Sequence, residues 1–250
     1  MPTPFTLILP YYRQPRMLAY QLSILASYPL AVSVVIVDDG SPEPALPLAK
    51  AHNAHGYGPL CQLYRVLEDE PWNREMARNL GASVADTPWI VQLDLDHVLP
   101  AQAASALMQY SPQPGHWYRF PRYRKGRADA TRRKDQLPDG CEFGAIHPHV
   151  DSYLVERDTY WATGGYDEVF CGVLGGGGEF LARLEREAGP PLLLPEECAL
   201  HVLTRSVVAD ASDQHCNRDT APGKALWRAK QAQGLPKPTS WLHLPWERQL

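Results

Sequence analysis

Short apolar runs alternate with segments of helical periodicity over roughly the first 110 residues of the chain. Four apolar runs predict strands: Phe5 to Leu9, Val32 to Val37, Leu60 to Leu67 and Trp89 to Leu93. Residues 16–28 and 73–85 place apolar side chains at helical spacing and predict helices between these strands. Continuous apolar strands interleaved with helices indicate an α/β fold with a parallel sheet covered on both faces.

The second half of the chain alternates less regularly. It predicts strands at residues 150–155 and 199–203, helices at 157–162 and 179–187, and a further helix near 224–233. We therefore expect a domain over residues 1–208, with halves 1–110 and 111–208. Residues 209–250 are expected to form a C-terminal helical or irregular arm that packs on the body or on a second subunit.

Pairs of acidic residues follow two of the predicted strands. Asp38 and Asp39 end the second strand, and Asp94 and Asp96 follow the fourth. Because ligands bind beyond the carboxyl ends of parallel strands, both pairs should lie at one edge of the sheet. An isolated Asp-x-Asp is more often a solvated loop, but two carboxylates there also suit Mg²⁺ or Mn²⁺, which prefer oxygen ligands.

Composition narrows the class of protein. The 250 residues include five scattered cysteines, with no Cys-x-x-Cys pair, and this favours reduced thiols over disulfides or a zinc site. No apolar run approaches the roughly 18 residues of a membrane span, and no signal region is evident. We therefore expect a soluble cytoplasmic protein, in the host cytoplasm if the protein is viral. The net charge of −4 says little about partners.

Positive charge is concentrated in one segment. Residues 119–134 carry eight Lys or Arg and one acid, with Phe120 and Tyr123 interspersed. Such a polar stretch predicts an exposed, mobile loop or hairpin.

Several motifs occur together in a fixed order. V-D-D-G-S at 37–41 precedes N-R-x-x-x-R-N-L-G at 73–81, D-L-D at 94–96 and G-G-Y-D-E-x-F at 164–170. This order resembles the inverting, metal-dependent nucleotide-sugar glycosyltransferases of the GT-A fold, over about residues 3–205. It looks like the family 2 class, with a galactosyltransferase-like C-terminal motif. The resemblance implies a Rossmann-like, mixed but mostly parallel sheet, a hexosyltransferase activity, a UDP-sugar donor and a Mn²⁺ or Mg²⁺ cofactor.

Carried over residue by residue, the resemblance implies a donor site. The positions expected to contact the nucleotide-sugar are Pro10, Tyr11, Tyr12, Arg13, Asp38, Asp39, Arg74, Arg78 and Asp94. Tyr11 or Tyr12 would stack on the base, and the Asp38–Asp39 pair would hold the base and ribose. Arg74 or Arg78 would neutralise the diphosphate, since guanidinium geometry suits phosphate oxygens.

The resemblance also implies a metal site. Asp94 and Asp96 would be its carboxylate ligands, with Asp96 the more direct one. His201, in the last apolar strand, lies where a histidine ligand is expected. His147 and His149, in His-Pro-His, are interpreted instead as loop residues near the acceptor.

One departure concerns the catalytic base. Family members continue with W-G-G-E-D-x-E-F, but here Gly176 and Gly177 replace the Glu-Asp pair that would bind acceptor and supply the base. We favour Glu179, brought inward by the flexible glycine run. The alternatives are another acid, Asp151 or Glu142, a retaining reaction that needs no such base, or a domain that binds donor without transfer.

The basic segment predicts the acceptor. Arg122, Arg124, Arg132 and Arg133, interleaved with aromatic residues, suit a phosphate-bearing acceptor. Hydroxymethylated phage-type DNA with a flipped base is one candidate, and a bacterial surface polysaccharide or other glycan is the alternative. A non-catalytic sugar-nucleotide binding module is a third possibility. A nucleotidyltransferase is disfavoured because the N-terminal loop lacks a Gly-rich, lysine-bearing sequence.

Overall fold

The computed structural model describes residues 3–70, 72–125, 143–203 and 219–250. Its strands are β1 Phe5–Tyr11, β2 Ser33–Asp38, β3 Cys61–Val66, β4 Trp89–Gln92, β5 His97–Val98, β6 Trp117–Arg119, β7 Arg122–Lys125, β8 Phe143–Ile146, β9 Tyr153–Glu156, β10 Leu192–Leu193, β11 Leu200–Val202 and β12 Trp246–Arg248. Its α-helices are α1 Pro15–Leu25, α2 Leu46–His55, α3 Arg74–Val84, α4 Ala101–Gln109, α5 Arg157–Ala162, α6 Gly176–Ala188 and α7 Ala221–Ala232.

A central eight-stranded sheet organises the molecule. Its strand order is β10-β6-β9-β4-β1-β2-β3-β12, and β4, β1, β2 and β3 run parallel to one another. β9 is antiparallel to β4, and β12 is antiparallel to β3. A second, four-stranded sheet has the order β5-β11-β7-β8. The predicted mixed, mostly parallel sheet is therefore confirmed.

Helices cover both faces of the central sheet. In β2, Val34 and Ile36 face a core built with α1, α2 and α4, while Val35 and Val37 face α3. Successive side chains of a strand point to opposite faces, so a continuous apolar run is the pattern that a doubly covered strand requires. This explains why the sequence pattern located the strands well.

The helix α3 packs unusually close to the sheet. A Cβ added at Gly81 would lie less than 3.0 Å from the side chain of Ile8 on β1. Two residues earlier, the Asn79 amide group bonds both the N–H and the carbonyl of Tyr166, at 2.8 and 2.9 Å. The Asn-x-Gly motif therefore fixes α3 against β1 and against the Gly-Gly-Tyr segment, and so sets where the N-terminal half of the helix points.

Two helices differ from the predictions. The helix α2 was not predicted, because its run of alanine, histidine and proline carries little apolar periodicity. The helix α6 begins at Gly176, three residues before the predicted start at Glu179. Glycine has a low helix propensity, and burial of Gly176 and Gly177 in the first turn of α6 outweighs it.

The basic segment contributes one strand of a pair, β7. β7 and β8 pair antiparallel, as expected for a hairpin, on either side of residues 126–142. Arg122 and Arg124 lie on β7. The predicted acceptor residues Arg132 and Arg133, and the candidate base Glu142, lie outside the described residues.

The C-terminal residues pack back on the body. β12 adds to β3, Trp241 Nε1 donates to the carbonyl of Gly164 at 2.6 Å, and His243 lies between Glu70 and Glu168. The division into a domain and an arm stays a prediction. In the described ranges, Cys61, Cys171 and Cys198 are free thiols, and no helix has the length and apolar character that crossing a membrane demands.

Candidate active site

The carboxyl edge of the central sheet brings α3 onto the residues that follow β4. Arg78 on α3 is only 1% exposed and donates from Nη2 to Oδ1 of Asp94. Its Nε and Nη1 are buried without a hydrogen-bond partner among the described residues. Burial favours the neutral form of Asp94, but Arg78 and His149 outweigh it and lower the pKa of the carboxyl. Arg78 thus keeps two buried donor atoms that the described residues leave unpaired.

Three side chains converge as candidate metal ligands: Asp94, His97 and His149, whose ligand atoms all lie within 4.8 Å of one another. His149 Nδ1 lies 3.3 Å from Asp94 Oδ2, and the two imidazole rings are 4.7 Å apart. Burial lowers the pKa of His149 despite the opposing charge of Asp94, which favours the neutral, ligating ring.

This arrangement differs from the predicted ligand set, in which Asp96 and His201 stay predictions. Asp96 contacts His97 instead of joining the triad, with Oδ1 2.7 Å from Nδ1. His201 pairs with Val98 across β5 and β11, whereas Val202 pairs with His97. Cross-strand partners share a face and neighbours alternate, so His201 lies on the opposite face of the small sheet from His97.

Sequence reasoning missed His97 and placed His149 near the acceptor. His97 directly follows the Asp-x-Asp segment, and His149 ends the His-Pro-His segment. Those two short polar clusters were the available signals. Only the pairing of β4 with β9 brings residues about 50 positions apart into one cluster.

Beside the triad is a cavity of about 570 Å³. Its lining consists of Trp72, Arg74, Asp94, His149, Val150, Asp151, Leu174, Gly175, Gly177 and Gly178. Asp151 Oδ2 lies 3.0 Å from Arg74 Nη1, and Oδ1 accepts from the Tyr166 hydroxyl at 3.3 Å. The cavity therefore has carboxylates from both Asp94 and Asp151 in its wall, among the residues described.

Glu179 occupies a different position from the one expected. Its side chain is fully buried, and Arg183 donates to both carboxylate oxygens at 2.7 Å. It is absent from the described lining of the cavity, whereas the neighbouring Gly177 and Gly178 are part of it. The glycine run forms the first turn of a helix whose Glu179 points inward to Arg183. This corrects the interpretation of Glu179 as a base reaching an acceptor.

Asp38 and Tyr11, at the carboxyl edge of the central sheet, were predicted to contact the nucleotide. Both side chains stabilise the fold instead. The Asp38 carboxylate accepts from the N–H groups of Ser41 and Ala45, at 2.9 and 2.8 Å, and from Arg65 at 3.0 Å. Tyr11 is fully buried, and its hydroxyl donates to the carbonyl of Glu43 at 2.6 Å. Asp38 shapes the loop and Tyr11 fills the core, which corrects their assignment to the donor.

The remaining predicted contacts keep suitable positions. Tyr12 is part-exposed and donates to Asp69 at 2.7 Å, Arg13 has a positive φ of 49°, and Pro10 is half-buried on β1. Asp39 accepts from Asn73 at 3.1 Å, and burial raises its pKa well above the usual value. Their roles toward a nucleotide stay predictions.

Comparison with known proteins decides the family. The family model described as glycosyl transferase family 2 matches residues 6–170, more than half of the chain. The chain belongs to glycosyltransferase family 2. The recognition of the family from its motifs is confirmed. No curated protein matches the sequence.

Solved structures show the same GT-A fold as this family 2 chain. GalNAc-T7 with UDP, GalNAc and Mn²⁺ has a TM-score of 0.59 at 13% identity, over 81% of this chain and 44% of its own. The mannosyltransferase PcManGT of Pyrobaculum calidifontis, with GDP-Man and Mn²⁺, has 0.55 at 14%, over 95% and 64%. S. aureus TarS 1–349 has 0.59 at 14%, over 90% and 69%. The chain thus spans about half to two thirds of the first two structures.

Proposed function

We propose that this chain transfers a hexose from a UDP-sugar to a hydroxyl group of a phosphate-bearing acceptor, with inversion at the anomeric carbon. The observation that carries the proposal is one cavity whose wall holds Asp94, His149 and Asp151, with Arg78 bonded to Asp94 and His97 completing the triad. Arg78 supplies an anion site, the triad a cation site and Asp151 a base. GalNAc-T7 and PcManGT hold nucleotides together with Mn²⁺, and this agrees with the cation site.

The residues present fit a divalent cation and a diphosphate. One carboxylate and two imidazoles within 4.8 Å offer the oxygen and nitrogen ligands that Mn²⁺ accepts. His97 would exchange its contact with Arg122 or with Asp96 for the ion. The two unpartnered donors of the buried Arg78 suit phosphate oxygens. A bound cation would offset the charge that develops on the departing nucleoside diphosphate. Arg78 would offset the same charge.

Asp151 is our candidate for the base. An inverting transfer needs a carboxylate that takes the proton of the acceptor hydroxyl as its oxygen bonds to the anomeric carbon. The bond from that carbon to the phosphate oxygen breaks in the same step, and UDP leaves with the electron pair. Arg74 and Tyr166 hold Asp151 from two sides in the cavity wall, so its orientation is fixed before the acceptor binds.

The acceptor side of the proposal rests on β7. Arg122 donates from Nη1 to Nε2 of His97 at 2.7 Å and from Nε to the carbonyl of His147 at 2.8 Å. The basic strand therefore touches the triad directly, and an acceptor phosphate bound along it would bring its hydroxyl to the cavity. Hydroxymethylated DNA is the acceptor we favour, and a surface glycan is the alternative.

A direct test combines a panel of nucleotide-sugars and Mn²⁺ with hydroxymethylated DNA and surface-glycan acceptors, with products read by mass spectrometry. UDP-sugar consumption that requires Asp94 supports the donor half. DNA binding that weakens as the salt concentration rises, and that is lost in Arg122→Gln/Arg124→Gln, supports the acceptor half. Binding of UDP-sugar without turnover on any acceptor would instead support the non-catalytic module. The cytoplasmic location stays a prediction.

A further inference from the structure

Glu75 is a buried acid that the proposed reaction has not used. It lies in the first turn of α3 beside Arg74 and is fully buried. Its Oε1 is 3.2 Å from Arg74 Nε, and its Oε2 has no hydrogen-bond partner among the described residues. Burying a half-satisfied carboxyl costs stability, so its presence next to the cavity calls for a physical reason.

Arg74 connects Glu75 to the candidate base. One edge of its guanidinium faces Glu75 through Nε, and Nη1 lies 3.0 Å from Oδ2 of Asp151. The single positive charge of Arg74 is therefore shared between two carboxyl groups. The charge state of Glu75 determines how much of the guanidinium attraction falls on Asp151.

The first turn of α6 is shaped around the same two acids. A Cβ at Gly176 would lie less than 3.0 Å from Glu75 Oε1, and a Cβ at Gly177 would lie equally close to Asp151 Oδ1. Side chains at these positions would expel both carboxyl groups. The resemblance implies acids at positions 176 and 177. In this chain, carboxyl groups from other segments lie against those two positions instead: Glu75 from α3 and Asp151 from the loop before β9.

We propose that Glu75 is a positioning residue, acting through Arg74 on Asp151, so that Glu75, Arg74 and Asp151 form one functional unit. This inference rests on the proposed function, because Asp151 is the base only if the chain is a transferase. An ionised Glu75 competes with Asp151 for the guanidinium of Arg74 and leaves Oδ2 of Asp151 freer to meet the acceptor hydroxyl. A protonated Glu75 leaves Arg74 to Asp151 alone, and Oδ2 stays occupied.

The surroundings place this change near neutral pH. Burial raises the pKa of Glu75 to about 7, with Asp151 adding to the rise while Arg74 and Arg78 oppose it. The other titratable groups facing it are Cys171, beyond the short helix at residues 168–170, and Asp39, after β2. The expected consequence is an acid limb near pH 7 in the dependence of kcat on pH.

The test compares wild type, Glu75→Gln and Glu185→Gln, the last being the same change at an exposed acid on α6. At pH 8, Glu75→Gln should lower kcat on the order of 10- to 100-fold with the KM for donor nearly unchanged. The deficit should shrink toward pH 6, where wild-type Glu75 is also neutral, and Glu185→Gln should follow wild type throughout. A deficit that is absent, or equal at all pH values, overturns the proposal.

A second measurement does not depend on turnover. The carboxylate stretch of Asp151, isolated by infrared difference between wild type and Asp151→Asn, should shift as Glu75 titrates and stay constant in Glu75→Gln. Absence of that shift rejects the coupling even if the enzyme is active. Presence of the shift in a protein that transfers no sugar upholds the coupling and rejects the proposed function. Circular dichroism verifies that each variant is folded.

Discussion

The carboxylate of Asp151 occupies the space that a side chain at Gly177 would need, since a Cβ added there would come within 3.0 Å of Oδ1. The glycine is therefore a steric requirement of the acid opposite it. Arg74 and Tyr166 complete the position of Asp151 from the other sides. The start of α6 can pack this close to the loop before β9 only because residue 177 is a glycine.

The first prediction concerns this close approach. Gly177→Ala should displace Asp151 and destabilise the fold by about 1–3 kcal/mol, as overpacking does. Gly178→Ala is the matched control, because a Cβ there meets nothing within 4 Å. It should instead stabilise α6 by up to about 1 kcal/mol, the gain of Ala over Gly in a helix. Urea unfolding measures both, and equal effects of the two substitutions would contradict the steric argument.

The second prediction separates the two candidate bases. Asp151→Asn should reduce kcat on the order of 10²- to 10⁴-fold while UDP binding persists. Glu179→Gln should mainly destabilise the protein, by about 3–5 kcal/mol, since it breaks a fully buried pair with Arg183. Its folded fraction should keep most of the wild-type kcat. UDP release measures kcat, and thermal unfolding measures stability. A large loss of kcat in folded Glu179→Gln, with little loss in Asp151→Asn, would restore Glu179 as the base.

The third prediction concerns the cation. His97→Ala and His149→Ala should each weaken Mn²⁺ binding in the presence of UDP by at least about tenfold, because each removes a ligand of the triad. His201→Ala should bind Mn²⁺ as wild type does, since His201 lies on the other face of the small sheet. Electron paramagnetic resonance titration of free Mn²⁺ measures the affinity of each variant for the ion. Loss of binding in His201→Ala alone would reinstate the originally predicted ligand.

The fourth prediction concerns the C-terminal residues and pH. Burial lowers the pKa of His243, but hydrogen bonds to Glu168 and Glu70, at 2.7 and 3.0 Å, outweigh it and raise the pKa above 6.5. Because the folded-state pKa is raised, the stabilisation from these two hydrogen bonds is fully present below pH 6.5. It is lost as the pH rises through the folded-state value.

Thermal unfolding of wild type and His243→Gln at pH 6 and pH 8.5 measures this effect. The wild type should be the more stable protein at pH 6, and the difference should largely disappear at pH 8.5. A difference that is constant with pH would show that His243 stabilises the fold by packing alone. Glu70→Gln, which removes one of the two acceptors, should reproduce part of the same pH dependence.

The hydrophobic pattern by itself determined the strands of the parallel core, because strands covered on both faces must be apolar at every position. The position of Asp94 at the end of β4 and the arginines of α3 also followed from the sequence, since the carboxyl ends of parallel strands share one edge. The motif order was sufficient to recognise the family.

Only the tertiary structure decided which polar residues are available to a ligand. Asp38 and Tyr11 carry suitable chemical groups, but neighbours distant in sequence satisfy or bury them. Glu179 is satisfied by Arg183, one turn along α6, and tertiary packing buries the pair. His97 and His149 gain their shared position from strand pairing, and Glu75 and Asp151 gain theirs from the missing side chains of α6. A sequence lists the groups that can react. Packing and desolvation determine which of them meet, and those depend on contacts between segments that no local pattern encodes.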